Sequence, residues 1–414
     1  MDKPARRAIV RPMTYDVILA GGGLAGSALA IALSQTGLSV ALVDPVPAGT
    51  RGAEGFDGRS YALSVGSRNL LRAIGIWGAV AEQAQPILDI RISDGRAGEG
   101  PSPLTLHFDH AEIEEGPMGH MVEDRHLRPA LLDALGAVTR IEAGVTAQEP
   151  GPAGIRATLS NGDTLSARLL IGCDGKRSSV AERAGIRRTG WDYSQSALVA
   201  AISHEGDHKG VAHQFFMPEG PLAVLPLKGN RASIVWTERR DRAEAITDLP
   251  DDQYLDILRP RFGDYLGEIG LAGARFTYPL SLSIANRFAA DRVALVGDAA
   301  HAVHPIAGQG LNAGLKDVAT LAEVLVEAKR RGEDIGRIDV LERYERWRRF
   351  DVAALALATD GVNRLFSNDN PALRLARDLG LAAVQRLPGL RRGFIREAAG
   401  LTGDNPKLLQ GRPL

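Results

Sequence analysis

Apolar residues along the first forty positions change period twice. Tyr15 to Ala20 is a short run of β-formers, Leu24 to Gln35 places apolar residues at helical spacing closed by Gly37, and Leu38 to Val43 reads as a second strand. The pattern predicts a βαβ unit, the element from which doubly wound sheets are built. Arg168 to Gly172 and Arg292 to Val296 repeat the motif of a buried strand that runs into Gly and Asp and then into a helical pattern. Between them the chain changes character. Ala197 to Ile202, Pro221 to Leu227 and Ala232 to Thr237 are apolar and β-branched, separated by turns at Pro218, Gly220, Gly229 and Asn230. After Ala313 helical spacing continues to the end, and no internal repeat is found.

The expected class is α/β: a Rossmann-type nucleotide-binding domain, a mostly antiparallel sheet domain and a helical C-terminal region. The boundaries expected are 13–187 for the first part of the nucleotide domain, with short strands near 85–110 belonging to the second sheet, then 188–275 for that sheet. Residues 276–332 would complete the nucleotide domain, and 333–414 would form the helical region. A chain of 414 residues exceeds the length at which one core stops growing, which agrees with more than one domain.

Charge and cysteine content remove several classes. Lys and Arg number 49 against 50 Asp and Glu, so no global field favours nucleic acid. The single cysteine, Cys173, rules out an internal disulfide framework and suits a reducing cytoplasm. The first thirteen residues carry Lys3, Arg6, Arg7 and Arg11 without a secretory apolar core and read as a flexible leader. The uncharged run Val17 to Val43 is long enough for a membrane span, but its five glycines and changing period favour strand, turn and helix.

Three loops carry candidate chemistry. In Gly21-x-Gly23-x-x-Gly26 the first glycine permits a tight turn, the second lets backbone approach a pyrophosphate, and the third lets helix pack on strand. The unpaired N–H groups of the helix start then face the anion. Asp44, 23 residues beyond Gly21, ends the second strand, where a carboxylate can bind a ribose diol. This unit alone leaves NAD and FAD open. Cys173-Asp174-Gly175 follows a second strand, and Asp174 either points into the ligand crevice or belongs to a plain Asp-Gly turn. Cys173 reads as a buried small hydrophobe.

The third loop is Gly297-Asp298 continuing through His301, His304 and Pro305 to Gly308-Gln309-Gly310-Leu311-Asn312 and on to Asp317. Asp298 ends an apolar strand and can bind a polyol, while the Gly308–Gly310 turn exposes N–H groups where negative charge develops. His301 and His304 are three apart, but Pro305 argues against a helix and no third ligand is spaced to complete a metal set. Hydrogen bonding or packing is expected of both, and no metal. Gly-x-Ser-x-Gly is absent, so no hydrolase elbow is present.

These residues resemble the flavin-dependent aromatic hydroxylases of the para-hydroxybenzoate hydroxylase fold, and within them the ubiquinone-biosynthesis hydroxylases. The most specific match is His304-Pro305-Ile306-Ala307-Gly308-Gln309-Gly310-x-Asn312-x-Gly314-x-x-Asp317, and the resemblance spans nearly the whole chain. It implies FAD held by Gly21, Gly23, Gly26 and Asp44, the last departing from the family's usual Glu. It places Asp174 between FAD and the route of NAD(P)H, Asp298 on the ribityl chain, and Gly308, Gln309, Gly310, Leu311 and Asn312 along the isoalloxazine. Arg59 resembles the family's arginine beside the flavin, with a solvated loop arginine as the alternative, and Arg125 lies in another flavin-contacting stretch. Arg59, Pro305 and Gly308 are the expected catalytic positions.

The reaction implied uses NAD(P)H and O₂ to hydroxylate a polyprenylated phenol. Phe215, Phe216 and Gly220 to Pro226 would form an apolar wall over the flavin, or be ordinary sheet core. A membrane-borne substrate directs attention to six arginines (374, 377, 386, 391, 392, 396) interleaved with apolar residues. That stretch either rests on the inner face of the cell membrane or is a solvated helix. Membership of a multi-enzyme ubiquinone-synthesis complex is implied by the same resemblance. Hydroxylation of a small soluble aromatic, and a non-catalytic flavin-binding scaffold, remain open alternatives.

Overall fold

The strand Met13–Ala20 sits inside the first sheet, hydrogen-bonded in parallel to Val40–Val43 on one side and to Thr164–Gly172 on the other. The structure, a computed structural model, describes residues 13–51, 57–96, 100–101, 105–114, 116–367, 377, 380 and 383–414. Residues 1–12 of the expected leader lie outside them, as do Arg374 and the residues around it up to 382 other than 377 and 380. Thr139–Ile141 extends the sheet beyond Val40–Val43, and Val293–Leu295 adds in parallel to Thr164–Gly172. The chain therefore leaves the strand Met13–Ala20 in one direction and returns on the other side. That reversal opens a crevice at the carboxyl ends of the strands.

The helix Leu24–Ser34 follows at once. Leu24 and every residue from Gly26 to Leu33 are buried, because the helix Gln309–Arg330 covers its outer side. An all-round apolar helix is what such a sandwiched position requires. The uncharged run that could have spanned a membrane is thus a strand, a turn and a core helix. Among the described residues no helix is long and apolar enough to cross a membrane.

The second sheet runs in the order His301–Ala302, Phe276–Ala285, Arg188–His204, Arg231–Arg239, Gly220–Leu227, Val211–Met217, Asp89–Arg96 and Gly100–Pro101. It is antiparallel except where Asp89–Arg96 pairs in parallel with Val211–Met217. The strand near 85–110 joins this sheet. The sheet also continues past residue 275, since Phe276–Ala285 pairs with Arg188–His204 along most of its length. Two helices, Arg240–Thr247 and Asp251–Phe262, cover its outer face around Leu198, Phe215, Leu222, Ile234 and Trp236. Its other face carries Ala201, Ala212 and Leu227, packed with Ile87 and Met121.

One strand belongs to both halves. Near its start Arg188 donates to the carbonyls of Ala299 and Asp298 in the third loop, while residues 195–203 run beside Arg231–Arg239 in the second sheet. Between these stretches the register shifts at Asp192 to Ser196, and Ser194 takes φ 56°. The bulge lets a single strand turn between two surfaces.

Candidate flavin site

The three loops and Asp44 gather at the crevice, where Gly21 approaches Cys173, Gly22 bonds Asp44 and Gly297 approaches Ala25. Gly21 has φ 110°, a region that side chains avoid, and a Cβ there would lie 2.3 Å from the Cys173 carbonyl. A Cβ on Gly26 would lie 2.0 Å from the Gly21 carbonyl. Gly23 is different, for a Cβ there meets nothing within 4 Å. Two glycines are demanded by the protein itself, and the middle one leaves open space on the face where a ligand would lie.

The helix starts support the same reading. Leu24–Ser34 has Gly23 at its N-cap with no side-chain hydrogen bond and no acidic residue in the first turn. Gln309–Arg330 begins at Gly308 in the left-handed region, φ 64°, again without a side-chain cap or an acid. Gly297 lies between the start of the first helix and the second turn of the other, since a Cβ built on it would lie 3.7 Å from Ala25 Cβ and 3.9 Å from Gly314 Cα. Each uncapped helix start presents unpaired N–H groups and partial positive charge, which suits a ligand carrying phosphate and a second site of negative charge.

Asp44 is nearly buried and accepts hydrogen bonds from the backbone N–H of Gly22 and, at 2.8 Å, of Val46. With Gly22, Leu42, Val46, Leu132, Arg140, Ile141 and Glu142 it lines a cavity of about 420 Å³. Arg140 and Glu142 escaped notice in the sequence because they lie about a hundred residues beyond Asp44 and reach it only through the pairing of Thr139–Ile141 with the second strand. Asp44→Ala is expected to weaken FAD binding roughly 10- to 100-fold, the value of hydrogen bonds to a charged group, as measured by equilibrium dialysis.

Asp298 keeps its side chain open to solvent, yet enough protein surrounds it for burial to raise its pKa above the usual carboxylate value, against the pull of His301, Lys176 and Arg188. Exposure together with dense surroundings describes the floor of a cleft, fit for a polyol. Asp174 has a structural occupation as well: one carboxylate oxygen accepts from Ser179 Oγ at 3.3 Å and Val180 N at 3.2 Å, at the start of helix Ser179–Arg183. Its other oxygen is buried without a hydrogen-bond partner among the described residues, so it retains acceptor capacity. Burial pushes the Cys173 thiol well up, which leaves it a packing residue.

Asn312 does something the sequence did not reveal. Its carboxamide oxygen accepts from Ser64 N at 2.9 Å and Ser67 Oγ at 2.7 Å, and its NH₂ donates to Ala62 O at 2.8 Å and Gly308 O at 3.0 Å. The side chain is used up inside the protein. It staples the Gly308 turn to the strand Ser60–Ser64, which carries Arg59 at its start. Leu311 likewise packs against the first core, and Gly308, Gln309 and Gly310 form the half-buried remainder of the turn.

Arg59 is 40% exposed and pairs with Asp57 at 2.6 Å and with the buried Asp124 at 3.4 Å. The hydrogen bond to Asp57 is the main cause that raises its pKa. Asp124 also accepts from Tyr61 Oη at 2.7 Å and from Arg128 at 2.7 Å, so Arg59 is an aimed side chain rather than a solvated one. Arg125 instead bonds Glu123 at 2.7 Å, and Glu123 takes Arg231 of the second sheet at 2.6 Å. That cluster ties the second sheet to the strand Gly119–Glu123, which pairs with Ser60–Ser64 in a small third sheet.

His301 and His304 part company. His301 Nε2 lies 2.6 Å from Asp317 Oδ2, and the other Asp317 oxygen accepts from Arg348 Nε at 2.7 Å. Gly297 N donates to the same carboxylate at 2.9 Å, so this buried group fixes the turn that presents Asp298. His304 packs edge-on against Tyr193, ring centroids 5.2 Å apart, and burial lowers its pKa to about 4. Phe215 and Phe216 also divide, because successive residues of a strand face opposite ways. Phe216 stacks on Phe366 at 4.0 Å, whereas Phe215 faces the outer helices and forms no wall toward the crevice.

A model of the FAD binding domain family matches residues 14–358. A ubiquinone hydroxylase of Rhodospirillum rubrum, UbiL, is 47% identical across 96% of this chain and 93% of its own length. The 3-demethoxyubiquinol 3-hydroxylase of Escherichia coli is 35% identical across 93% of this chain and 98% of its own. Among solved structures, p-nitrophenol 4-monooxygenase from Pseudomonas putida superimposes with a TM-score of 0.79 at 20% identity, covering 95% of this chain and 100% of that one, which shows a common fold.

Proposed function

Because this chain belongs to the FAD-dependent hydroxylases of ubiquinone biosynthesis, we propose that its crevice holds FAD and that its second sheet receives the ring of a polyprenylated phenol. The observation that carries the reading is the crevice at the strand ends, where Gly23 leaves open space at the uncapped start of helix Leu24–Ser34 and the Gly297–Asp298 turn packs beside Ala25. Bound FAD supplies the acceptance of reducing equivalents from NAD(P)H and the activation of O₂.

The protein's own groups bind, aim and exclude. Gly21, Gly23 and Gly26 bring the first helix start against the pyrophosphate, and Asp44 takes the adenosine ribose. Asp298 takes the ribityl chain. Gly308, Gln309 and Gly310 offer backbone N–H groups to the ring system, and Pro305 with the Asn312 staple fixes the turn that aims them. Arg59, held by Asp57 and Asp124, adds a positive charge on the same side. The inner face of the second sheet, with Ala212, Leu225 and Leu227, supplies an apolar surface that keeps water away.

Mixing the flavin-loaded protein with NADPH or NADH and a prenylated phenol should bleach the flavin's visible band and consume O₂ with formation of a hydroxylated ring. Flavin that stays oxidised with both nucleotides would overturn the catalytic reading. Deleting the gene should accumulate the quinone precursor that lacks one hydroxyl.

Contact with the membrane surface is proposed for the helix Pro388–Ala398 rather than for the whole basic stretch. Arg377 is buried and bonds Asp94 at 2.7 Å, and Arg391 bonds Glu112 at 2.9 Å, so neither faces a bilayer. Leu387, Leu390 and Phe394 are about half exposed at i, i+3 and i+7, with Arg386 and Arg392 exposed beside them, while Ile395 on the other side is buried. Apolar side chains flanked by arginines suit an anionic surface. Leu390→Glu combined with Phe394→Glu is expected to reduce binding to anionic vesicles by about tenfold or more, with reduction of the flavin by NADPH unchanged. Unaltered vesicle binding would refute this contact.

A further inference from the structure

A second cavity, of about 550 Å³, lies on the outer face of the second sheet. Strand alternation separates it from the flavin crevice. Ile90, Ile92, Leu106 and Phe108 point inward and pack with Phe216 and Phe366, so Arg91, Ser93, Thr105 and His107 point the other way, into this cavity. On the neighbouring strand, Ala212 and Phe216 face inward while His213 and Phe215 line the cavity. The end of helix Asp251–Phe262 and Tyr265 close one side. Its size falls within the few hundred to one thousand cubic ångströms typical of small-molecule sites.

The lining combines flat rings with unspent positive charge. His213 stacks nearly parallel on Phe215, centroids 5.6 Å apart and planes 8° apart, and lies 4.5 Å from the ring of Tyr265. Burial, with Arg91 nearby, lowers the pKa of His213 to about 4, so its ring is neutral and has nitrogen atoms that can donate and accept. Tyr265 remains 42% exposed although it is a large aromatic, and its open ring borders the cavity. Arg91 and Lys209 stand at the rim, and among the described residues neither is in an ion pair. One acid, Asp207, also lines the cavity and accepts the Lys209 backbone N–H at 2.7 Å, and Asp89 lies 3.3 Å from His107, so neither carboxylate pairs with Arg91 or the Lys209 ammonium among the described residues.

We propose that this outer cavity is a binding site for a planar aromatic acid, its ring laid against His213 and Tyr265 and its anionic group between Arg91 and Lys209. A bare anion would leave the aromatic faces unused, and a neutral ring would leave two cations without a counter-charge. The combination of the two is what selects the class. The site lies across the sheet from the flavin crevice, so its ligand is bound and not hydroxylated there.

Benzoate is the probe, with inorganic phosphate and phenol as its two halves, each measured on the flavin-loaded protein by equilibrium dialysis. Benzoate should bind saturably, with phosphate and phenol each at least tenfold weaker. Arg91→Ala, an exposed change that leaves the core intact, and His213→Ala should each weaken benzoate about tenfold while flavin content and the far-ultraviolet spectrum stay constant. Absence of saturable benzoate binding overturns the proposal. So does binding unchanged in both variants, which would place the benzoate elsewhere, or phosphate binding as tight as benzoate, which would reduce the site to a bare anion site.

Discussion

Replacing Gly26 with alanine is expected to give a protein that purifies without flavin. The added methyl group would sit 2.0 Å from the Gly21 carbonyl, a backbone atom held by the strand behind it, so the helix start itself has to retreat. Overpacking of this kind costs about 1–3 kcal/mol or more, and the retreat also withdraws the N–H groups meant for the pyrophosphate. Gly23→Ala provides the contrast. Its methyl group meets nothing in the protein within 4 Å, so thermal unfolding of the flavin-free form should match the wild type while FAD affinity falls. Flavin-to-protein ratio and flavin-free melting temperature, measured on both variants, separate a glycine required by the fold from one required by the ligand. Equal melting temperatures for the two would contradict this division.

Removing the Asp317 carboxylate should have the largest effect on stability. Asp317 is fully buried and joins His301, Arg348 and the Gly297 N–H, so Asp317→Ala leaves the buried Arg348 guanidinium with only the half-buried Asp351 as counter-charge, and strands the His301 ring and the Gly297 N–H. Breaking such a group is expected to cost about 3–5 kcal/mol in chemical unfolding. Burial alone would raise the Asp317 pKa, but His301 and Arg348 together hold it below the usual carboxylate range. A lowered folded-state pKa means that the stabilisation is present above the unfolded value, near 4, and is lost as pH falls through the folded value. The variant's deficit should therefore be full at neutral pH and shrink only in strong acid. A loss under 1 kcal/mol at pH 7 would show that the cluster is not the clamp described.

The parts of the site legible in the sequence are those whose cause is local. Gly21, Gly26 and Asp44 announce themselves because strand, turn, helix and strand fit within about thirty consecutive residues and each glycine answers a constraint in that short stretch. Nothing local could reveal that Asn312 bonds Ala62 and Ser64, some 250 residues earlier, or that Asp124 aims Arg59. Arg377 sits in a stretch rich in arginine and looks like surface, and only its partner Asp94, on a strand of the second sheet, makes it a core residue. The sequence boundary at 275 assigns Phe276–Ala285 to the nucleotide domain, and only its pairing with Arg188–His204 brings it into the second sheet. Phe215 and Phe216 look alike in sequence, and the strand register sends them to opposite faces.

The pairing of Thr164–Gly172 with Val293–Leu295 also governs when this protein can mature on the ribosome. The intervening 120 residues build most of the second sheet, so the two sheets are interleaved in order of synthesis. At about 5–20 residues per second, roughly 6–24 s pass between the emergence of Gly172 and that of its neighbour. During that interval the apolar edge of the first sheet stays open to aggregation or to a chaperone. Asp298 and the Gly308 turn emerge later still, well after Gly21, Gly26 and Asp44. A crevice built from both Gly26 and Gly297 is therefore complete only after the strands of the second sheet between them have been synthesised.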